Sequence, residues 1–328
     1  MKKIKFDLAL NIGAKKLHSS RKSFVKATDL YHKLWCDNKG NIKKYLLEKR
    51  ECPLCYKKSY KFLFMKSGGR YVRCLSCNLI FLNPCFKDKY LEKYYQNMHT
   101  MQADTVKKES KFYNRIYNFG LATINKFINT KEKKILDIGC SSGYFLDIAK
   151  KQKWKTYGVE LNKKEITKAI KNHFVVNENF FNLKKYFKFK FDAITMWDVI
   201  EHIKDCNKLL QNLRKMLNSD GIFFFQTPNV DSLAARILQE KCNVFDGFEH
   251  VNLFNERNVF KLAKNNGFKV ISIESVISEI PIINNYLNYE DPYFGNIKEK
   301  NILKNTITEK QLHKNFLGYK IQVIFKKK

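Results

Sequence analysis

From Lys134 onward the chain alternates short, almost wholly apolar runs with segments whose apolar residues recur at helical spacing. That alternation restricts it to few folds. KILDI (134–138), TYGVE ending at Glu160, a weaker run at 174–176 and FDAITM (191–196) read as strands, followed by IFFFQ closed by Thr227 and Pro228, FKVISIE, and GYKIQVIF (318–325). Between them lie helices. One carries Leu209, Leu210, Leu213, Met216 and Leu217 and is expected to stop at a turn over 218–221; another, over 257–266, is ended by Gly267. Strands apolar on both faces and separated by helices belong to a parallel sheet covered on both sides. The expectation is a doubly wound α/β sheet of seven strands.

A different pattern precedes it. Cys52 and Cys55 form one CxxC pair and Cys74 and Cys77 another, separated by 18 residues, a spacing that suits a four-thiolate zinc site. Each pair lets two sulfurs converge from one tight knuckle, and two knuckles complete a tetrahedron. A closed shell of four sulfurs makes such a metal structural, folding a segment too small to hold itself together. Short aromatic segments between Cys52 and Cys85 read as a small β-rich module. Nine cysteines are an odd number and no secretory signal precedes them, so a disulfide framework is not expected; Cys36 and Cys85 read as buried small hydrophobes.

The segment ILDIGCSSGYF (135–145) is a strand that ends in a Gly-rich turn and enters a helix. Glu160 closes the next strand about 20 residues on, where a carboxylate can accept both hydroxyls of a ribose. The turn has Gly139 and Gly143 around Ser141 and no phosphate-binding Lys, so an adenosine fits it better than a triphosphate does. These residues resemble class I S-adenosylmethionine-dependent methyltransferases over roughly 130–328. LDIGCSSG looks like motif I, Glu160 like the ribose acid, FDAITMWDVIEHI like the strand-four motif, LRKMLNSDGIFFFQTPN like the helix and strand five, and FEHVNLFNERNVFKLAKNNGF like the approach to strand six. Ser141 departs from the family, where many members have Gly. The resemblance implies a Rossmann-like sheet, a methyl transferase activity, and S-adenosylmethionine held by Asp137, Gly139, Ser141, Gly143, Glu160 and Asp198.

A third constellation is Asp198, Glu201 and His202 (DVIEH), joined by Glu249 and His250 (FEHVN). On a helical start, positions 198, 201 and 202 are expected to share one face at the lip of strand four, where a methyl acceptor sits. The set is similar to the acidic and histidine cluster of small-RNA 2′-O-methyltransferases and ubiquinone-pathway O-methyltransferases, which implies either a divalent cation such as Mg²⁺ or His202 or His250 acting as general base. The bland reading is a capped helix start with one histidine in the pocket.

Charge bears on the acceptor. The net charge is +31, yet Arg supplies only 8 of 62 basic residues, and Arg is the side chain whose planar fork suits nucleic acid. The expected acceptor is therefore a hydroxyl on a small metabolite, sugar-linked or otherwise phosphorylated and drawn by a Lys-rich surface; an RNA methyltransferase or a zinc-ribbon RNA-binding protein is the alternative. No run of about 18 apolar residues marks a membrane span, and a cytoplasmic location is expected. The predicted organisation is a basic helical extension (1–50, with an apolar stripe from Phe24 to Trp35), a zinc-ribbon-like module (51–88), a helical linker packed on the catalytic domain (89–130), and the methyltransferase domain (131–328).

Overall fold

In the computed structural model, which describes residues 33–98, 106–283 and 306–328, the chain first builds a small antiparallel sheet around its cysteine pairs. A two-residue strand β1 (Leu47–Glu48) pairs with β5 (Cys85–Phe86), while β2 (Tyr60–Lys66), β3 (Gly69–Cys74) and β4 (Ile80–Leu82) form a meander. Most of the expected apolar stripe of the amino-terminal extension lies outside the described residues; Trp35, at its end, packs in tilted ring contacts on Phe86 and Tyr94.

Two helices follow, α1 (Asp88–Met98) and α2 (Ser110–Asn125). The second buries Ile116, Leu121 and Ile124 against Trp197 and Phe224 of the large sheet and against Phe145 of the helix that follows its first strand. Gly120 permits this contact, since a Cβ there would stand 2.4 Å from the Trp197 ring.

The remaining elements run β6 (Lys133–Ile138), α3 (Tyr144–Lys151), β7 (Trp154–Val159), α4 (Lys163–Ala169), β8 (Phe174–Val176), β9 (Phe191–Trp197), α5 (Cys206–Met216), β10 (Leu217–Pro228), α6 (Leu233–Leu238), β11 (Asn252–Leu253), α7 (Glu256–Asn265), β12 (Phe268–Val276), α8 (Glu309–Lys314) and β13 (Lys320–Lys327). Seven strands form one sheet in the order β12-β13-β10-β9-β6-β7-β8, with β13 antiparallel to both neighbours and the pairs from β10 to β8 parallel. All seven residues of β9 are buried, as a central parallel strand requires. The doubly wound α/β sheet read from the alternation is the observed one.

Two local expectations change. The turn over 218–221 is drawn into β10 as an irregularity, the register passing from Leu217↔Phe191 directly to Ile222↔Ala193. Gly221 fits there because a Cβ would lie 2.9 Å from the Phe191 carbonyl oxygen. More consequential is β11, which leaves the large sheet's half of the chain and pairs with β4, so that the small sheet runs β11-β4-β3-β2. Among the described residues no helix is long and apolar enough to cross a membrane.

Candidate functional site

The turn between β6 and α3 carries three left-handed residues in five: Gly139 (φ 76°), Ser141 (φ 48°) and Gly143 (φ 84°). A Cβ at Gly139 would come within 2.6 Å of Val199. Ser141 holds a conformation that favours glycine, and two bonds fix it: its N–H donates to Glu160 Oε2 at 2.9 Å, and its hydroxyl to the buried Glu165 at 2.9 Å. Glu160, just past β7, also accepts the N–H groups of Leu161 (2.7 Å) and Asn162 (2.9 Å). Burial raises its carboxyl despite these three donors. Because β6 and β7 are parallel neighbours, the turn and Glu160 meet at the carboxyl ends of the strands, the side on which open α/β sheets bind ligands.

A cavity of about 760 Å³ opens there. Gly139, Ser141 and Glu160 line it, together with His202, Tyr95, Leu91 and the first cysteine knuckle. Of the other donor-site residues read from the sequence, Asp198 also reaches the wall, whereas Asp137 and Gly143 are not part of it. Asp137 is 2% exposed, accepts a 2.7 Å hydrogen bond from Thr195 Oγ1, and is pushed up to about 8 by burial. It fastens strand to strand beneath the cavity. Gly143 opens α3, where Ala169 and His173 crowd its Cα.

The acidic and histidine constellation is only partly assembled. Asp198 stands at φ 56° before the 3-10 turn of Ile200–His202, and no oxygen of its carboxylate joins the cluster of ligand atoms that Glu201 and His202 form. Its Oδ2 accepts from Gln226 Nε2 (3.0 Å) and Lys320 Nζ (2.5 Å). Asp198 and His202 both line the cavity, while Glu201 lies behind its wall. Glu201, His202 and His250 do come together, offering one ligand atom each within 4.8 Å of one another. Glu201 accepts from Thr227 Oγ1 at 3.0 Å through Oε2, while its buried Oε1 has no hydrogen-bond partner. Burial, then the charge of Asp198, pushes Glu201 up to about 7, against the pull of His250. Burial lowers His250, but Asp246 and Glu201 carry it above the usual imidazole value. His202 is the one histidine of the cavity wall among the described residues; its Nδ1 lies 3.0 Å from Tyr95 Oη and 3.1 Å from the Glu249 carbonyl oxygen. Glu249, bonded to the Tyr94 hydroxyl, is raised to about 7 by burial and by Asp246.

The four cysteines converge as their spacing predicts. Cys52 and Cys77 sulfurs lie 3.4 Å apart, Cys55 and Cys74 sulfurs 3.5 Å, and all four fall within 4.8 Å of one another. Sulfurs about 2.3 Å from one zinc ion would have separations of this order, so the residues fit a tetrahedral metal. Sequence reasoning missed what seats the knuckles. Asn207 of α5 donates to the Pro53 carbonyl (2.8 Å), Asn265 of α7 to that of Leu54 (2.8 Å), and Asn258 of α7 to that of Cys77 (2.9 Å). Arg50 binds across the same boundary, to the carbonyls of Leu82 (3.1 Å) and Lys204 (3.2 Å) and to Asn252 Oδ1 (2.9 Å). The Asn residues sit on otherwise ordinary amphipathic helices, where they read as solvated positions.

Comparison with known proteins adds a family and a fold. The family described as "Methyltransferase domain" matches residues 93–273. A "Ubiquinone biosynthesis O-methyltransferase" of Histophilus somni is 30% identical over 109 residues, 30% of this chain and 46% of that protein. The protein of the same description from Actinobacillus pleuropneumoniae serotype 7 is 27% identical over 135 residues, 36% of this chain and 53% of its own. The chain thus spans about half the length of the curated relatives it matches. Among solved structures, the magnesium protoporphyrin IX methyltransferase of Synechocystis, crystallised with bound SAH, superposes with a TM-score of 0.50 at 10% identity, covering 74% of this chain and all of that one, a likeness of fold.

Proposed function

Because this chain belongs to the class I S-adenosylmethionine-dependent methyltransferases, we propose that it transfers a methyl group to a hydroxyl of a small molecule. The observation that carries this reading is one cavity lined both by the Gly139 turn and Glu160 and by His202. S-adenosylmethionine, when bound, supplies a methyl group already activated on a sulfonium. Gly139 and Ser141 would cradle it and Glu160 would accept from its ribose, three backbone donors having fixed that carboxylate in place. The cavity walls hold the acceptor oxygen in line and keep water out, which is most of what the reaction needs. As the new carbon–oxygen bond forms, the hydroxyl proton passes to His202. With Nδ1–H donating to the Glu249 carbonyl, Nε2 is the basic atom.

Zinc at Cys52, Cys55, Cys74 and Cys77 would have a structural role, its closed shell leaving no position for chemistry. Reduced thiolates of this kind fit a cytoplasmic setting. Were Glu201, His202 and His250 instead to hold a cation, the donors would fit one of the zinc or iron class better than Mg²⁺, which favours oxygen; His202 would then be a ligand rather than the base, and Lewis acidity toward the acceptor is what such an ion would supply. The organisation we propose keeps an extension to residue 50, a zinc module over 51–88, a helical connection over 89–130 and a catalytic domain from 131, with β11 lent to the module. The homologues' description favours O-methylation. Incubating the full chain with methyl-labelled S-adenosylmethionine and a panel of phenols and polyols tests the reading. Label transferred to a hydroxyl, and lost in His202→Ala, supports it; donor binding without transfer to any hydroxyl overturns it.

A further inference from the structure

We infer that the acceptor carries a protonated amine, held in the cavity beside His202; this rests on reading that region as the acceptor site. The chain is strongly basic as a whole, yet this wall is acidic. Glu92 and Asp205 line it, as do the exposed Glu48, Glu51 and Asp88, which pair with Lys204 and Lys58, and Glu249, which is bonded to the Tyr94 hydroxyl, against Arg50, Lys204 and Lys208 among the described residues.

These cations are also engaged. Arg50 spends its guanidinium on the carbonyls of Leu82, Lys204 and Val251 and on Asn252. Lys204 sits between Glu48 and Asp88, 2.8 Å from the latter. Lys208 lies 5.0 Å over the Phe181 ring. A phosphate or carboxylate entering here would meet carboxylates and no uncommitted guanidinium, and like charges at close quarters select against a ligand. An ammonium meets the opposite. Glu92 is bonded through one oxygen to Asn179 (3.1 Å) and Asp205 through one oxygen to the Lys208 N–H (2.9 Å). Tyr56, Tyr95 and Phe181 belong to the same wall, and aromatic faces beside carboxylates are a favourable enclosure for an ammonium. Lys208 over Phe181 is an instance of that contact made by the protein itself. The anionic acceptor expected from the Lys-rich exterior is thus replaced by a cationic one, because the field inside a cleft follows its own walls.

Calorimetry on the full chain saturated with S-adenosylhomocysteine tests this with three phenols of matched size: dopamine, 4-ethylcatechol and 3,4-dihydroxyphenylacetate. Dopamine is expected to bind at least about tenfold more tightly than the anion, a difference of the size that one charge-assisted contact supplies, with the neutral compound between them. In the double variant Glu92→Gln, Asp205→Asn the preference should shrink to within about threefold, both amides keeping the existing Asn179 and helix-cap contacts. Equal affinities, a preference for the anion, absence of dopamine binding, or an undiminished preference in the double variant each overturn the inference. Replacing S-adenosylhomocysteine by labelled S-adenosylmethionine reads the other claim separately: the charge order without methyl transfer would overturn the hydroxyl reading and leave the charge preference standing.

Discussion

Glu160 and Asp137 are acidic residues 23 positions apart that look alike in the sequence and differ in what surrounds them. Glu160 sits on the cavity wall with three backbone N–H groups on its oxygens, so Glu160→Gln keeps the shape and removes the charge. We expect affinity for S-adenosylmethionine to fall about 10- to 100-fold, the loss of a charge-assisted hydrogen bond of roughly 1.5–3 kcal/mol. Titration calorimetry reads it, and unchanged affinity would put the ribose elsewhere. Asp137 is buried beneath the wall, and its carboxyl is raised to about 8. A carboxyl raised on folding binds its proton more tightly in the native state, so its contribution to stability is complete below the unfolded value near 4 and is lost as pH rises through about 8. The melting temperature of the wild type should therefore fall from pH 5 to 8 relative to that of Asp137→Asn. Parallel melting curves across that range would contradict it. The sequence motif singled out both acids, but it could not assign one to the wall and the other to the layer below, because burial is a property of the packed sheet.

At the level of elements, the strands of the large sheet and helices α3, α5 and α7 were legible because their periodicity is local, whereas the short α4 and α6 were not read. What joins the elements was not. The Asn207, Asn258 and Asn265 bonds to the cysteine knuckles, the Lys320 clasp on Asp198, and the pairing of β11 with β4 all link residues far apart in the chain. The four-cysteine spacing was readable for the opposite reason, two short motifs sufficing to define a tetrahedron. Elemental analysis of protein purified without added metal should find one zinc per chain, lowered in Cys74→Ser. Asn207→Ala should retain the zinc and lose about 1–3 kcal/mol in denaturant unfolding, the cost of a buried carbonyl left without a donor. A variant that instead loses its zinc would mean that the helices shape the knuckle rather than receive it.

For the whole molecule the contrast is between a basic exterior and a cleft whose mouth is rich in carboxylates. Composition announced the first and had no means of announcing the second, since carboxylates drawn from 48 to 249 meet only after folding. The exterior should still hold polyanions loosely. Association with total RNA is expected to weaken by orders of magnitude between about 50 and 200 mM salt, as counterion release dictates. Binding that persists at the higher salt, with methyl label entering the RNA, would favour a nucleic-acid acceptor.

The strand lent by Asn252–Leu253 also imposes an order in time. Its partners Ile80 and Phe81 are made about 170 residues earlier, which at ribosomal speed is roughly ten to thirty seconds. Through that interval the nascent meander exposes the edge of β4, a site of unpaired backbone groups open to other chains. Arg50, too, waits for Val251 and Asn252 before its guanidinium is satisfied. A module made early in synthesis is thus among the last to be finished.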